Sequence, residues 1–191
     1  MVLLYAVLFI IIVILAPPLY ALPASLSLKR GHRPGLKPRT LAMAAAQLKD
    51  TGLVGYELVE AARSLVEGRM LYCRRNGFDS YFKAFERGYG YCQQQAYALV
   101  HLLKELGFDA RVVHAFRNRF PDGGTEAHAW VQVSVNGQRQ WVDTLFYDQE
   151  SRAISFEPVT KVRTYTPAFR TVAGWGSLAV NAHRYYLTGR D

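Results

Sequence analysis

The amino-acid sequence predicts an α+β fold, and a change in its hydrophobic period carries that prediction. Apolar residues recur at helical spacing up to about residue 106, and from residue 110 onward they follow the shorter period of strands. The chain has 191 residues, of which 50% are hydrophobic, and this suffices for one folded domain with an appendage. Helices followed by an antiparallel sheet are the arrangement of an α+β domain.

The first 28 residues contain no charged side chain, and Val2–Ala16 is continuously apolar. A helix of that length spans about 22 Å, and extending it through Leu22 reaches the roughly 30 Å hydrocarbon core of a bilayer. The Pro17-Pro18 pair would kink such a helix. A signal peptide normally begins with basic residues, and none precedes this run. We therefore expect residues 1–28 to form an uncleaved transmembrane anchor, with an export signal as the alternative.

Basic residues follow the apolar segment and account for most of the net charge of +8. Prolines and a glycine among them make residues 29–39 a predicted basic, non-helical tether. The positive-inside rule then places the C-terminal domain, residues 40–191, in the cytoplasm. If the cluster instead contacts lipid headgroups from the other face, the domain is extracytoplasmic. From residue 50 onward the chain carries 17 basic and 15 acidic side chains, and this balance argues against a nucleic-acid partner.

Four helices are predicted in the first part of the domain. They cover Thr40–Lys49, Tyr56–Met70, Phe78–Phe85 and Cys92–Leu106. Thr40 is a suitable N-cap for the first of them, and Gly107 ends the last. The apolar positions of the last and longest helix, such as Leu99 and Leu103, trace a single face.

Three strands follow, rich in Val, Trp and Phe. They are Ala110–Phe116, Ala127–Val135 and Gln138–Leu145. Asn136-Gly137 between the last two favours a two-residue hairpin turn. Such a turn makes His128 and Asp143 diagonal neighbours on one face, with a stripe of valines on the other. A three-residue bulged loop would shift this register. The tail from Arg152 holds short β-like stretches whose order the sequence does not give.

Cys92 is the candidate nucleophile because it begins the longest predicted helix. Unpaired N–H groups and a partial positive charge at a helix N-terminus favour a thiolate and can stabilise an oxyanion. A carboxylate at Asp143 beside His128 would fix the imidazole tautomer and stabilise the imidazolium, as in a catalytic triad. Each residue also has a structural alternative, namely a buried cysteine, a sheet histidine and a strand-end cap.

These residues belong to four sequence blocks that resemble the transglutaminase-like superfamily. The blocks are Gly90–Cys92, Leu102–Val113, His128–Trp130 and Trp141–Asp143. The resemblance implies a papain-like fold, in which the cysteine opens a helix packed on an antiparallel sheet that supplies the histidine and the aspartate. It implies that Cys92 is the nucleophile, His128 the general base and acid, and Asp143 the orienting residue.

The sequence departs from the family pattern at two places beside the triad. The run Gln93–Gln95 is more polar than the family commonly has after the cysteine. Thr144 stands where the family often has a proline or an alanine. Neither departure changes the triad itself, and both leave the substrate pocket open.

Other candidates are weaker, and each has a structural interpretation. His114 and His101 are expected to be packing or surface histidines. The three triad residues could instead bind zinc, but no fourth ligand is evident, so we expect no metal and no cofactor. A Cys73–Cys92 disulfide is the alternative for an extracytoplasmic domain. Trp130 and Trp141 either wall the cleft or pack under the C-terminal tail.

The sequence therefore predicts a membrane-anchored thiol enzyme that attacks amide bonds of a protein or peptide substrate. Its acyl-enzyme would pass to water or to an amine, and the resemblance to small family members without further domains favours hydrolysis. The alternatives are a protein-glutamine transamidase and a catalytically silent binding or scaffold domain. An intact set of Cys92, His128 and Asp143 argues against the silent domain.

Overall fold

The computed structural model describes residues 2–28 and 37–189, so residues 29–36 of the expected tether lie outside the described part. The helices are α1 (Val2–Ser27), α2 (Leu41–Lys49), α3 (Gly55–Arg69), α4 (Tyr81–Arg87), α5 (Cys92–Glu105) and α6 (Pro167–Thr188). The strands are β1 (Leu71–Tyr72), β2 (Tyr89–Gly90), β3 (Ala110–Arg119), β4 (Thr125–Val135), β5 (Gln138–Val142), β6 (Tyr147–Asp148), β7 (Ala153–Ile154), β8 (Glu157–Pro158) and β9 (Arg163–Thr164).

The described residues form two compact units. The first, which we call the terminal unit, contains residues 2–28, 73–78 and 166–189. The second, the sheet unit, contains residues 37–72 and 79–165. The division into an anchor over 1–28, a tether over 29–39 and a domain over 40–191 stays a prediction of the sequence.

The sheet unit has the predicted α+β architecture, with the helices α2 to α5 preceding a twisted antiparallel sheet. The sheet has the strand order β5-β4-β3-β8, and β9 pairs with β3 as well. Helix α5 contacts α2, α3 and α4 as well as strands β3 and β4. Its side chains Leu99, Leu102 and Leu103 are fully buried in the largest core cluster. Burial of this apolar face is what holds the helix that begins at Cys92 against the sheet.

The β4–β5 hairpin has the register that the sequence predicted. Val131 pairs with Val142, and Val135 pairs with Gln138 next to the turn. Asn136 and Gly137 have positive φ angles of 52° and 80°, as a type I′ turn requires. The valines of β4 face the helices in the main core. The two-residue turn therefore holds, and the bulged loop that would have shifted the register is absent.

The structure departs from the sequence-based prediction after the hairpin. Strand β5 ends at Val142, before Asp143 and Thr144, because these residues hydrogen-bond through side chains instead of continuing the ladder. The tail contains only two-residue strands before helix α6 (Pro167–Thr188), which the sequence reading missed. Its aromatic residues and two internal glycines are poor helix formers, and they masked the helical spacing of Leu178, Ala182 and Tyr185.

In the terminal unit, helix α1 packs against α6 through small residues. Ala21, Ala24 and Ala182 are each 2% exposed and form a small core cluster. The Tyr186 hydroxyl accepts a hydrogen bond from the backbone N–H of Ala24 (3.1 Å) and donates one to the carbonyl of Tyr20 (2.9 Å). An uninterrupted helix would join those two backbone groups directly, and the preceding proline, Pro23, is a usual cause of such an opening.

The structure does not support the expected transmembrane anchor. Of the helices in the described part of the chain, none is both long and apolar enough to cross a membrane.

The turn conformation predicts opposite effects of alanine at two glycines. Gly137 has a φ of 80°, so Gly137→Ala should lower the free energy of unfolding by about 1 kcal/mol through backbone strain. Gly68 lies on α3 with open space around it, so Gly68→Ala should raise that free energy by up to about 1 kcal/mol. Urea unfolding of both variants measures the two shifts. Equal shifts of the same sign would contradict the assigned turn.

Candidate active site

Cys92 is the first residue of helix α5, and the chain segment that leads into it is tightly packed. Tyr91 has the extended conformation of an N-cap residue, and its N–H donates to Oε1 of Gln94 (3.1 Å). A Cβ at Gly90 would lie 2.5 Å from the terminal methyl of Met70 and 3.3 Å from Cβ of Gln94, so a larger residue there would require these side chains to move. Cys92 is half-buried and carries a free thiol. The predicted nucleophile therefore stands at a helix start on a chain segment with little room to move.

His128 and Asp143 form a buried hydrogen-bonded pair. His128 Nε2 lies 2.6 Å from Asp143 Oδ2, and the two side chains are 4% and 3% exposed. The other carboxylate oxygen, Oδ1, accepts hydrogen bonds from the N–H groups of Thr144 (2.7 Å) and Leu145 (3.4 Å). The side chains that the hairpin register makes diagonal neighbours are thus in direct contact.

The charge state of His128 follows from its neighbours. Burial alone would lower the pKa of His128, but the Asp143 carboxylate, its hydrogen bond and a smaller contribution from Cys92 raise that pKa to about 10. Cys92 contributes through a side-chain hydrogen bond and through its charge. Since Nε2 is bound to Asp143, Nδ1 is the ring nitrogen that remains for the thiol. At neutral pH the site therefore favours an imidazolium at His128 beside the Asp143 carboxylate.

Aromatic rings surround the His128 imidazole. Phe120, Phe146 and Phe156 meet it edge-to-face at centroid distances of 5.6, 5.6 and 5.1 Å. Trp130 lies nearly parallel to the imidazole at 6.2 Å. These rings exclude water from one side of the His128–Asp143 pair, which strengthens its electrostatic interaction.

The sequence analysis missed three polar residues that support the site. Thr144 donates its hydroxyl to Oε1 of Gln95 on helix α5 (2.7 Å). Asn118 is fully buried, and its Nδ2 donates to the carbonyls of Ala115 (3.1 Å) and Glu126 (3.0 Å) across a bulge in β3. The Asn118 amide thus takes the place of backbone hydrogen bonds next to Ala115, the residue that pairs with His128. The sequence signal for such a role is a polar residue that directly neighbours a predicted triad position, as Thr144 neighbours Asp143.

Tyr165 was also missed, and it lies in the electrostatic environment of Cys92. Burial, followed by the neighbouring Cys92 and Tyr97, raises the pKa of Tyr165 above its usual value. Its hydroxyl therefore keeps its proton at neutral pH. The Tyr165 ring stacks on His114 at 4.2 Å.

The remaining candidates have the structural roles that the sequence left open. His114 is buried against Tyr165, and His101 contacts aromatic rings of α4, so both are packing histidines. Neither Cys73 nor Cys92 forms a disulfide in the structure, so the alternative of a bond between them is not observed. Trp130 is fully buried against Phe156 and is therefore part of a core cluster, whereas Trp141 borders an open groove of about 410 Å³.

No group of three or more metal-ligating side chains is arranged to hold a metal ion within residues 2–28 and 37–189. The chemistry that the site offers is that of a cysteine thiol near an imidazolium that is hydrogen-bonded to a carboxylate.

The family model of the transglutaminase-like superfamily matches residues 42–144. That range is more than half of the chain and includes Cys92, His128 and Asp143. The chain therefore belongs to the transglutaminase-like superfamily. A search of curated protein sequences finds no significant match.

Solved structures with a related fold are similar to this chain at low identity. A candidate cysteine protease from Cytophaga hutchinsonii aligns at 14% identity over 66% of this chain and 48% of its own, with a TM-score of 0.48. A TGase aligns at 14% identity over 68% of this chain and 34% of its own, with a TM-score of 0.46. The periplasmic domain of TgpA from Pseudomonas aeruginosa aligns at 23% identity over 68% of this chain and 48% of its own, with a TM-score of 0.42. This chain spans less than half the length of each.

The contacts of Asp143 predict a specific failure of Asp143→Asn. If the amide oxygen keeps the bonds from Thr144 N–H and Leu145 N–H, the amide NH₂ group points at Nε2 of His128 and favours the wrong tautomer. We expect turnover to fall by about 10–10³, less than the roughly 10⁴ lost in a serine-protease triad, because a thiol ionises more readily than a serine hydroxyl and depends less on the base. Steady-state kinetics on folded protein measure this loss.

The same variant should change the pH dependence of stability. A His128 pKa of about 10 exceeds its usual value, so the pair stabilises the fold fully below about pH 6.5 and loses this effect as the pH rises towards 10. Asp143→Asn removes the carboxylate charge and should flatten that decline. Asp79→Asn, which breaks the 2.6 Å pair with Arg87, is the control and should retain it. An unchanged pH profile in Asp143→Asn would contradict the assigned pair.

Proposed function

We propose that this protein is a thiol enzyme that cleaves amide bonds of a protein or peptide through Cys92, His128 and Asp143. The observation that carries the proposal is the buried pair of His128 and Asp143, 2.6 Å apart, with Cys92 at the start of helix α5 and in the electrostatic environment of the same imidazole. Membership of the transglutaminase-like superfamily supports it, because the matched region contains all three residues.

The first half of the reaction forms an acyl-enzyme. The Cys92 thiolate attacks the amide carbonyl carbon, and the carbonyl oxygen becomes an oxyanion. The N–H of Cys92, at the first position of α5, is suited to bind that oxyanion. His128 then gives its proton to the amine nitrogen. The C–N bond breaks, the amine departs, and the acyl group remains on Cys92 as a thioester.

The second half restores the resting site. His128, now neutral, takes a proton from water as the water oxygen attacks the thioester carbonyl. The C–S bond breaks, the acid leaves, and Cys92 returns to the thiolate beside an imidazolium. Asp143 keeps Nε2–H oriented throughout, so that Nδ1 always faces the thiol.

Transfer of the acyl group to an amine is the second candidate within the same mechanism. An amine in place of water gives a new amide and makes the protein a protein-glutamine transamidase. A peptide library of acyl donors, offered with a labelled amine, separates the two by whether label or free acid accumulates.

A catalytically silent binding or scaffold domain is the alternative of another class. Such a domain has no need of a buried charged histidine, whose burial costs stability unless it is paired. Iodoacetamide labelling distinguishes it, because an activated Cys92 should react faster than Cys73, which is buried.

We expect Cys92→Ala to abolish amide turnover while the fold is retained. The sulfur atom is the nucleophile in the proposed mechanism, and alanine at the first position of a helix is well tolerated. Turnover and circular dichroism of the full-length chain measure the two effects. Cys73→Ala is the matched control and should retain turnover. Equal kinetics in Cys92→Ala and the wild type would refute the thiol mechanism.

The location of this activity at a membrane is part of the proposal and rests on the sequence alone. Residues 1–28 carry no charge, and a basic cluster follows them, so the full-length chain is expected in the membrane fraction with its N-terminus uncleaved. Fractionation followed by mass spectrometry of the N-terminal peptide measures this. A mature N-terminus near Ser25 would refute the anchor and indicate export.

A further inference from the structure

Gln95 is a fully buried amide one helical turn after Cys92. Its side chain has 0% exposure. Its Nε2 donates to the carbonyl oxygens of Met70 (3.0 Å) and Gly90 (3.1 Å), and its Oε1 accepts from the Thr144 hydroxyl (2.7 Å). Both N–H groups of the amide are therefore used, and a buried amide so bonded has one orientation.

The backbone groups bound by Gln95 belong to the segments that bring Cys92 into place. Met70 precedes β1, and Gly90 ends β2, which pairs with β1 in parallel just before the cysteine. The Gln95 amide thus ties the start of helix α5 to both segments.

Thr144 connects the amide oxygen of Gln95 to the proposed triad. It is 2% exposed and directly follows Asp143, and its own N–H donates to Oδ1 of Asp143 (2.7 Å). Asp143 in turn binds His128, whose pKa Cys92 helps to raise. A continuous chain of hydrogen bonds therefore runs from His128 through Asp143 and Thr144 to Gln95, on the same helix that begins at Cys92.

We propose that Gln95 and Thr144 are a positioning pair, which fixes the Asp143 carboxylate relative to the helix start that carries Cys92. This inference rests on the proposed function. Neither residue touches the reacting atoms. The pair acts by holding the end of β5 against α5, so that the imidazole between them meets the thiol and the carboxylate together. Misplacement of a catalytic group by about 1 Å can cost about 10²-fold in rate. The loss of such a positioning contact should therefore lower turnover.

A purely structural role for the pair predicts a different result. A satisfied buried hydrogen bond stabilises a fold wherever it lies, and its loss would then reduce stability alone. The pair is distinguished by a readout of the triad itself, namely the pH at which Cys92 begins to react as a thiolate. A weaker hold on Asp143 weakens the imidazolium and moves that onset to higher pH.

The test compares Thr144→Val with Thr144→Ser in the full-length chain. Valine keeps the shape of threonine but removes the hydroxyl donor, whereas serine keeps it. Iodoacetamide alkylation of Cys92 is followed against pH by peptide mapping, which separates Cys92 from Cys73. Thr51→Val is the matched control, because the Thr51 hydroxyl bonds the carbonyl of Leu48 at the end of α2 and the N–H of Leu53 in the following loop.

We expect Thr144→Val to move the alkylation onset up by about one pH unit, the equivalent of a tenfold change, and to lower kcat about tenfold with KM little changed. Thr144→Ser should behave as the wild type, and Thr51→Val should keep the wild-type onset. If Thr144→Val does not fold, Thr144→Ala takes its place with the same expected shift.

A wild-type onset and kcat in a folded Thr144→Val or Thr144→Ala protein would overturn the positioning pair. Failure of the proposed function has a separate signature. In that case the wild-type chain turns over no amide, while the alkylation onsets of the variants still report on the pair.

Discussion

The buried contact between His128 and Asp143 is the interaction on which the site depends. Two charged groups that are almost fully excluded from water are stable only when nearly every polar atom is paired. Asp143 meets this demand with His128 on one oxygen and two backbone N–H groups on the other. The strand must end at Val142 for those N–H groups to turn towards the carboxylate. The charge pair therefore sets where β5 stops.

The register of the β4–β5 hairpin is the geometric condition for that contact. A slip of β5 by one residue would turn its side chains, and Asp143 after them, to the opposite side of the sheet from His128. Asn136 and Gly137 prevent it, because their positive φ angles allow a two-residue turn and no extra residue. The apolar packing of the valines on α5 favours the same register. Local turn chemistry and core burial thus agree on one position for the imidazole.

Those two signals explain why much of the sheet unit was predictable. The α+β class, helices α2 to α5, the hairpin and the family follow from periodicity, turn residues and motif spacing, which are local properties of the chain. Helix α6 was not predictable in this way, since glycines and aromatic residues weaken its local signal. Its packing on α1 joins segments from the two ends of the chain, and such a contact leaves no mark in a short window of sequence.

The residues that support the site could not be identified from the sequence, for a related reason. Gln95 and Thr144 each departed from the family pattern, and each alone looked like a change in the pocket. They lie 49 positions apart, and only the fold shows that one departure is the hydrogen-bond partner of the other. Likewise, Phe120, Phe146 and Phe156 come from three separate segments, and their common neighbour His128 becomes apparent only once the strands are in place.

The raised pKa of His128 decides whether this residue acts first as an acid or as a base. A histidine with a pKa of about 10 is already protonated at neutral pH, so it cannot begin by removing a proton from the thiol. In the proposed mechanism it begins instead as an acid, and its proton is ready for the amine that leaves. Its base function would arise only after that transfer, when the departure of the amine has made room for water beside a neutral imidazole. One buried carboxylate thus favours the acid that the first half of the proposed reaction requires.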